Sequence, residues 1–238
     1  MFFDKEIQLY LSGHRFSNAL FVPISKPELK VVYRIDYIID CTKNTKVIHL
    51  GCADHVELIK LKISQGNWLH GQLEKYAEAC IGVDIDKEAI QFIKELGIKN
   101  TMVLDVTKDP PPPEIAQEHW DYMVLGELLE HIDNPISFLR ELHSKYAQNV
   151  KKLIISVPSA FRILNFRKAW KHGELINSDH RFWFTPYTLA KVCAMSGFNI
   201  EKFQMCKQSK LSRWSVLNRF ILKRYPALRD TIVMEVSF

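Results

Sequence analysis

The chain has 238 residues, 47% of them hydrophobic, with 32 Lys and Arg against 27 Asp and Glu for a formal net charge of +5. One domain with a full core, 1–238, is expected rather than two small ones; no apolar run reaches the roughly 18–20 residues of a membrane span, and the mild positive excess by itself calls for no nucleic-acid partner. Cys41, Cys52, Cys80, Cys193 and Cys206 are scattered without a Cys-x-x-Cys, and Met1-Phe-Phe-Asp-Lys-Glu6 lacks a signal-peptide pattern; both point away from a disulfide framework or a zinc site and toward a reducing, cytoplasmic compartment.

Residues 1–30 have no clear place in a sheet and read as a cover, with 1–44 as a whole preceding the core. Residues 46–50 read as a first strand, and 68–78 place Leu69, Leu73 and Tyr76 at helical spacing. A second strand spans 80–84; Asp86 then caps a helix through Leu96 that Gly97 ends. A third strand spans 101–105, and Asp109-Pro-Pro-Pro-Pro113 is a stiff connection. A fourth strand at 122–125 leads to a helix near 135–146 and a fifth strand at 153–157. This alternation over 45–157 implies a parallel sheet with right-handed crossovers.

Beyond Pro158 the texture changes. Residues 161–171 mix Phe, Leu and Trp with Arg162, Arg167, Lys168 and Lys171. A helix is expected over 186–196, stopped by Gly197, with strands at 198–206 and 231–238. Between these strands, 212–223 carry Trp214, Leu217, Phe220 and Ile221 at helical spacing. The two late strands extend the sheet to seven, the last antiparallel as the chain returns.

Val47-Ile-His-Leu-Gly-Cys-Ala-Asp-His55 ends an apolar strand in a glycine turn, and Gly82-Val-Asp-Ile-Asp86 ends the next in acids. A turn glycine after a buried strand is ordinary. Gly51, Asp84 and Asp105 at one edge of three successive strands instead suit a nucleoside: free backbone N–H groups after the first strand, and a carboxylate for ribose hydroxyls after the second. A dinucleotide fits poorly, because the Gly-x-Gly-x-x-Gly phosphate turn is missing and Asp54 would repel phosphate.

On these pieces, with Val103–Val106, Tyr122-Met-Val-Leu-Gly-Glu-Leu-Leu-Glu-His-Ile-Asp-Asn-Pro135, Leu153–Pro158 and Asp179–Phe184 leading to Ser196-Gly-Phe198, the chain resembles a class I S-adenosylmethionine-dependent methyltransferase over roughly 45–200. The nearest flavour is the branch acting on small molecules and glycans. The resemblance implies a Rossmann-like, doubly wound α/β sheet and S-adenosylmethionine as cofactor, with S-adenosylhomocysteine as product. It also implies that Leu50, Gly51, Cys52, Ala53 and Asp54 hug the methionine part. Asp84 would bind the ribose hydroxyls, with Ile85 against the adenine. Asp105 would face the adenine amino group beside Val106, and Gly126 and Glu127 would line the methyl-donor pocket. Two departures stand out: His49 replaces the family's usual acid, and Ala53 and His55 replace glycines. Asp54 could offer the methionine ammonium a carboxylate instead.

Glu130-His131 reads either as a polar helix start or as a general base at the pocket mouth. An imidazole of ordinary pKa suits a hydroxyl nucleophile. His180, in Asp179-His-Arg-Phe-Trp-Phe184, is a second candidate base or a helix-cap residue. His70 reads as a solvent-facing histidine near the cofactor loop, and Cys52 as a small buried residue. No His, Cys, Asp and Glu set has metal-ligand spacing, so no metal is expected. The basic, aromatic segments 161–171 and 207–229, with Arg213, Arg219, Lys223, Arg224 and Arg229, read as an amphipathic helix packed on the sheet. Alternatively they wall off an anionic or membrane-linked acceptor by peripheral contact. The expected function is methyl transfer to an oxygen, less readily a nitrogen, of a small molecule or glycan. Alternatives are a non-catalytic binding protein on the same fold, motivated by His49 and His55, and an RNA or nucleotide methyltransferase.

Overall fold

The computed structural model describes residues 1–212 and 214–238; Arg213, counted above in the basic segment, lies outside the described residues. Helices α1 (Lys5–Leu11) and α2 (Arg34–Thr42) precede β1 (Lys46–Leu50), α3 (Val56–Ser64), α4 (Leu69–Tyr76), β2 (Ala79–Asp84), α5 (Lys87–Glu95) and β3 (Thr101–Val103). There follow α6 (Pro113–Ala116), β4 (Trp120–Gly126), a 3-10 turn (Leu129–His131), α7 (Pro135–Tyr146), β5 (Val150–Pro158) and α8 (Ile163–Ala169). The chain closes with α9 (Pro186–Met195), β6 (Asn199–Cys206), α10 (Val216–Arg224), a second 3-10 turn (Pro226–Leu228) and β7 (Thr231–Ser237).

The strands form one seven-stranded sheet in the order β3-β2-β1-β4-β5-β7-β6. Strands β1 to β5 pair in parallel, and β7 inserts antiparallel to both β5 and β6. The strand order reverses between β1 and β4, which puts the switch-point crevice beside the carboxyl ends of β1, β2 and β4.

Alternation along the strands builds two cores. Ile48, Leu50, Met123, Leu125, Leu153 and Ile155 face α1, α7 and α9. Val47, Val124 and Ile154 face α2 and α4 through Ile38, Leu69 and Leu73. A smaller cluster, Ile59, Trp68, Ala89, Ile90 and Ile93 around Cys52, fastens α3 to α5. Local chemistry sets the helix ends. The Asp86 carboxylate accepts from the Glu88 and Ala89 N–H groups, and Asn134 does the same for Ser137 ahead of Pro135. Thr185 and Thr188 close a capping box on α9. Gly97 and Gly197, at φ +92° and +100°, stop α5 and α9.

Several expectations need correction. The third strand stops at Val103, because the Asp105 side chain bends the next residues into a turn by accepting from the Thr107 and Lys108 N–H groups. Helices α2 and α3 were not foreseen. The opening residues are bound to the far edge of the sheet: the Met1 amino group donates to the Phe203 carbonyl at 2.5 Å, and the Phe3 ring stacks on Phe203 at 4.8 Å. The basic amphipathic helix barely packs on the sheet. Leu222 is the buried residue of α10, while Val216, Leu217 and Phe220 are 65–71% exposed.

Candidate active site

The loop after β1 is built for close approach. Gly51 sits at φ +66°, where a side chain is strained, and a Cβ there would meet the Leu128 side chain at 3.2 Å. The Gly51 and Cys52 N–H groups donate to the Val83 carbonyl at 2.9 and 3.2 Å, which locks the loop to β2. The Cys52 side chain is buried among α3 and α5, so any ligand contact there is through backbone. Asp54 forms an ion pair with Lys62 of α3.

One carboxylate ties the next two loops together. Asp84 Oδ2 accepts from the Ala53 N–H at 3.0 Å, and Oδ1 from the Asp86 N–H at 3.0 Å. Beside it Ile85 is 70% exposed and stands as an apolar wall. Asp105 accepts from the Thr107 hydroxyl at 2.7 Å, the first cause that holds its carboxyl down to about 2. Together Leu50, Gly51, Asp84, Ile85, Asp105 and Val106 line a cleft of about 620 Å³, closed on the other side by Leu128, His131 and Phe138. That size is in the range of small-molecule sites. An adenosine fits this lining: hydrogen-bonding carboxylate at one strand end, exposed apolar side chain next to it, and backbone approach at Gly51. Of the residues singled out in the sequence, Cys52, Ala53, Asp54, Gly126, Glu127, Glu130 and His180 are not on the cleft wall.

Behind the cleft lies a buried polar layer that local sequence did not announce. His70 is fully buried rather than solvent-facing, because α4 packs flat on β1 and β2: a Cβ on Gly82 would come within 2.6 Å of its ring. His49 and His70 share a hydrogen bond between their Nδ1 atoms at 3.3 Å. Burial lowers both imidazole pKa values, His70 to about 4, so the pair is neutral at pH 7. Arg34, at the start of α2, is also buried and donates to the Ser156 hydroxyl at 3.1 Å. A Cβ on Gly126 would lie 3.5 Å from both Arg34 Nη1 and His49 Nε2. Arg34 escaped the sequence reading because its segment precedes the first strand; the apolar i, i+3, i+4 pattern of Ile35, Ile38 and Ile39 was the available signal.

At the end of β4 the chain turns sharply, with Glu127 at φ +60°. Burial raises the Glu127 carboxyl pKa, and Arg34 opposes the shift. Three residues on, burial and then the Glu127 charge push Glu130 up to about 9. Glu130 is fully buried, and neither carboxylate oxygen has a hydrogen-bond partner among the described residues. His180 reaches the same place from the loop after α8. The Arg181 N–H donates to the Glu130 carbonyl at 2.9 Å, and the Arg181 guanidinium pairs with Asp133. His180 Nε2 then lies 3.9 Å from Glu130 Oε1, and its ring meets the His131 ring edge-on at 4.7 Å. Burial and the neighbouring His131 lower the His180 pKa. Glu130, His131 and His180, which no spacing along the sequence groups together, bring three ligand-type atoms within 4.8 Å of one another.

The family model described as a methyltransferase domain matches residues 24–202. No curated protein matches the chain by sequence. Among solved structures, the chain is similar to an S-adenosylmethionine-dependent methyltransferase from Archaeoglobus fulgidus, at 20% identity and a TM-score of 0.50 over 86% of this chain and 91% of that one. It is similar to a second from Mesorhizobium loti, at 14% identity and 0.52 over 86% and 100%. Magnesium protoporphyrin IX methyltransferase from Synechocystis PCC 6803, solved with S-adenosylhomocysteine, gives 14% identity and 0.51 over 85% and 81%. These likenesses agree with the sheet order, and the family match spans the whole cleft just described. The chain belongs to the methyltransferase domain family and is an S-adenosylmethionine-dependent methyltransferase.

Proposed function

We propose that this enzyme methylates an oxygen of a small-molecule or glycan acceptor. The observation that carries this reading is the position of His131: it lines the donor cleft on one side, and on the other it meets the His180 ring and lies within 4.8 Å of the Glu130 carboxyl. When bound, S-adenosylmethionine supplies an electrophilic methyl group on sulfur. An oxygen nucleophile must be aligned with it and must lose a proton; a positioned base contributes about 10²–10⁴-fold. His131 is the group placed to receive that proton in the cation-free protein, with His180 behind it. Leu50 and Gly51 face the methionine part, with Cys52, Ala53 and Asp54 holding the loop behind them; Asp84 and Ile85 take the ribose and adenine, and Asp105 and Val106 the far edge of the base. Gly126 and Glu127 support the donor end from beneath.

Acceptor recognition falls to residues 1–44 and 158–238 around the core at 45–157. In support, Phe16, Leu20, Phe21 and Val22 join Phe161, Tyr187 and Lys191 around a second cavity of about 720 Å³. Among the described residues no helix is long and apolar enough to cross a membrane. The five free cysteines support a cytoplasmic site of action.

The test is calorimetric titration with S-adenosylmethionine and S-adenosylhomocysteine, followed by transfer assays on hydroxylated glycans, phenols and amines. Micromolar binding of both nucleosides and methylation of a hydroxyl are expected. Methylation confined to amines would overturn the oxygen reading.

A further inference from the structure

We propose that Glu130, His131 and His180 bind one divalent first-row transition-metal ion. The proposal rests on the reading of the cleft mouth as the place where the acceptor hydroxyl is activated. It starts from Glu130. A carboxyl group with no solvent exposure and, among the described residues, no hydrogen-bond partner on either oxygen is costly even when protonated, and such groups in folded proteins call for a specific explanation. No basic side chain donates a hydrogen bond to Glu130 among the described residues: Arg181 pairs with Asp133, and Arg34, which acts on Glu130 only through space, donates to Ser156. What faces Glu130 instead is imidazole. His180 Nε2 is 3.9 Å away, and the His180 and His131 rings stand at 87° to each other rather than stacked.

Two imidazoles and one carboxylate are a borderline donor set that suits Zn²⁺, Co²⁺, Ni²⁺, Fe²⁺ or Mn²⁺ and leaves coordination positions open. Ligand bonds of about 2.0–2.2 Å place ligand atoms at most about 4.4 Å apart. The three atoms here lie within 4.8 Å of one another, so small rotations of the two rings bring them into range. His131 is the member that also lines the donor cleft, so an open position on the ion is directed toward the acceptor.

The chemistry balances without a redox partner. The acceptor hydroxyl oxygen coordinates the ion and is acidified, and its proton leaves to water. The oxygen lone pair forms the new bond to the methyl carbon. The carbon–sulfur bond breaks with its electron pair on sulfur, giving the methyl ether and S-adenosylhomocysteine. With the ion in place the two histidines act as ligands, and the ion replaces His131 as the activating group.

The experiment uses the full chain, stripped with chelator and titrated with Co²⁺ while visible d–d absorption is followed. One equivalent per chain is expected, with a spectrum of nitrogen and oxygen ligation that Zn²⁺ displaces. Glu130→Gln and His180→Gln are each expected to weaken Co²⁺ binding at least tenfold, with melting temperature and S-adenosylhomocysteine affinity reported as folding controls. No d–d absorption at millimolar Co²⁺, or equal binding by the folded variants, would overturn the proposal. S-adenosylhomocysteine binding without Co²⁺ binding sinks the ion alone and leaves the donor site standing. Stoichiometric Co²⁺ binding with hydroxyl methylation unchanged by the ion supports the site and sinks its role in activation.

Discussion

Asp84 shows how much one side chain can organise at a strand end. Its two oxygens hold the loop after β1 and the turn after β2, and each keeps a lone pair for a ligand. Asp84→Ala therefore removes the clamp on Ala53 together with the ribose contact proposed for Asp84. Hydrogen bonds to a charged group contribute about 1.5–3 kcal/mol, which corresponds to roughly 10–150-fold in affinity. Calorimetry on Asp84→Ala is expected to show S-adenosylhomocysteine binding weakened to that extent, with a smaller change in turnover at saturating donor. An unchanged dissociation constant would remove Asp84 from the site. His49 teaches a different lesson. It stands where the resemblance leads one to expect an acid, yet it forms a neutral pair with His70, and the loop above it keeps its hydrogen bonds to β2. The replacement leaves the cleft formed.

At the scale of elements, caps and stops decide where the backbone delivers each group. Helix α5 begins one residue after Asp86, whose carboxylate satisfies two otherwise orphaned N–H groups, and it starts beside the cleft wall at Ile85. Asp86→Ala is expected to cost about 1 kcal/mol in chemical denaturation, with Asp86→Asn recovering most of it. Equal stability of Asp86→Ala and wild type would show that the cap is idle. The elements also explain what was readable. Strand β1 has the bounds expected from its β-branched run, and α7 has those expected from Pro135 and its apolar spacing. Strand β3 was expected to run to Asp105 because Leu104 continues the apolar pattern, whereas the Asp105 side chain turns the chain and the ladder ends at Val103. Helix α10 has helical spacing but exposes most of its apolar residues, since periodicity specifies a face and not what covers it.

Across the whole molecule, the buried histidine pair couples folding to acidity. The folded-state pKa of His70 is depressed from 6.5 to about 4 by burial. Its contribution is fully present above the unfolded value. As pH falls below about 6.5 the unfolded chain takes up a proton that the folded chain refuses, so stability drops until about pH 4. The full drop is of order 3 kcal/mol for His70, and His49 acts in the same direction. Between pH 6.5 and 5, above the window in which depressed carboxyls such as Asp105 titrate, wild type is expected to lose stability faster than His70→Gln. Parallel stability–pH curves in that window would show that His70 protonates freely in the folded state.

The sequence by itself determined the strand–helix alternation, the acids at strand ends, the capping residues and hence the fold and the family. Each of these is local, set by backbone geometry and side-chain periodicity within a few residues. Only the tertiary structure decided that His70 lies beneath Gly82, that Arg34 reaches Ser156, and that His180 meets Glu130 and His131. Those meetings depend on strand order, on the crossovers and on the Arg181 contacts that hold a distant loop against the turn after β4, and no local pattern encodes which remote side chain will fill a neighbour's unsatisfied valence.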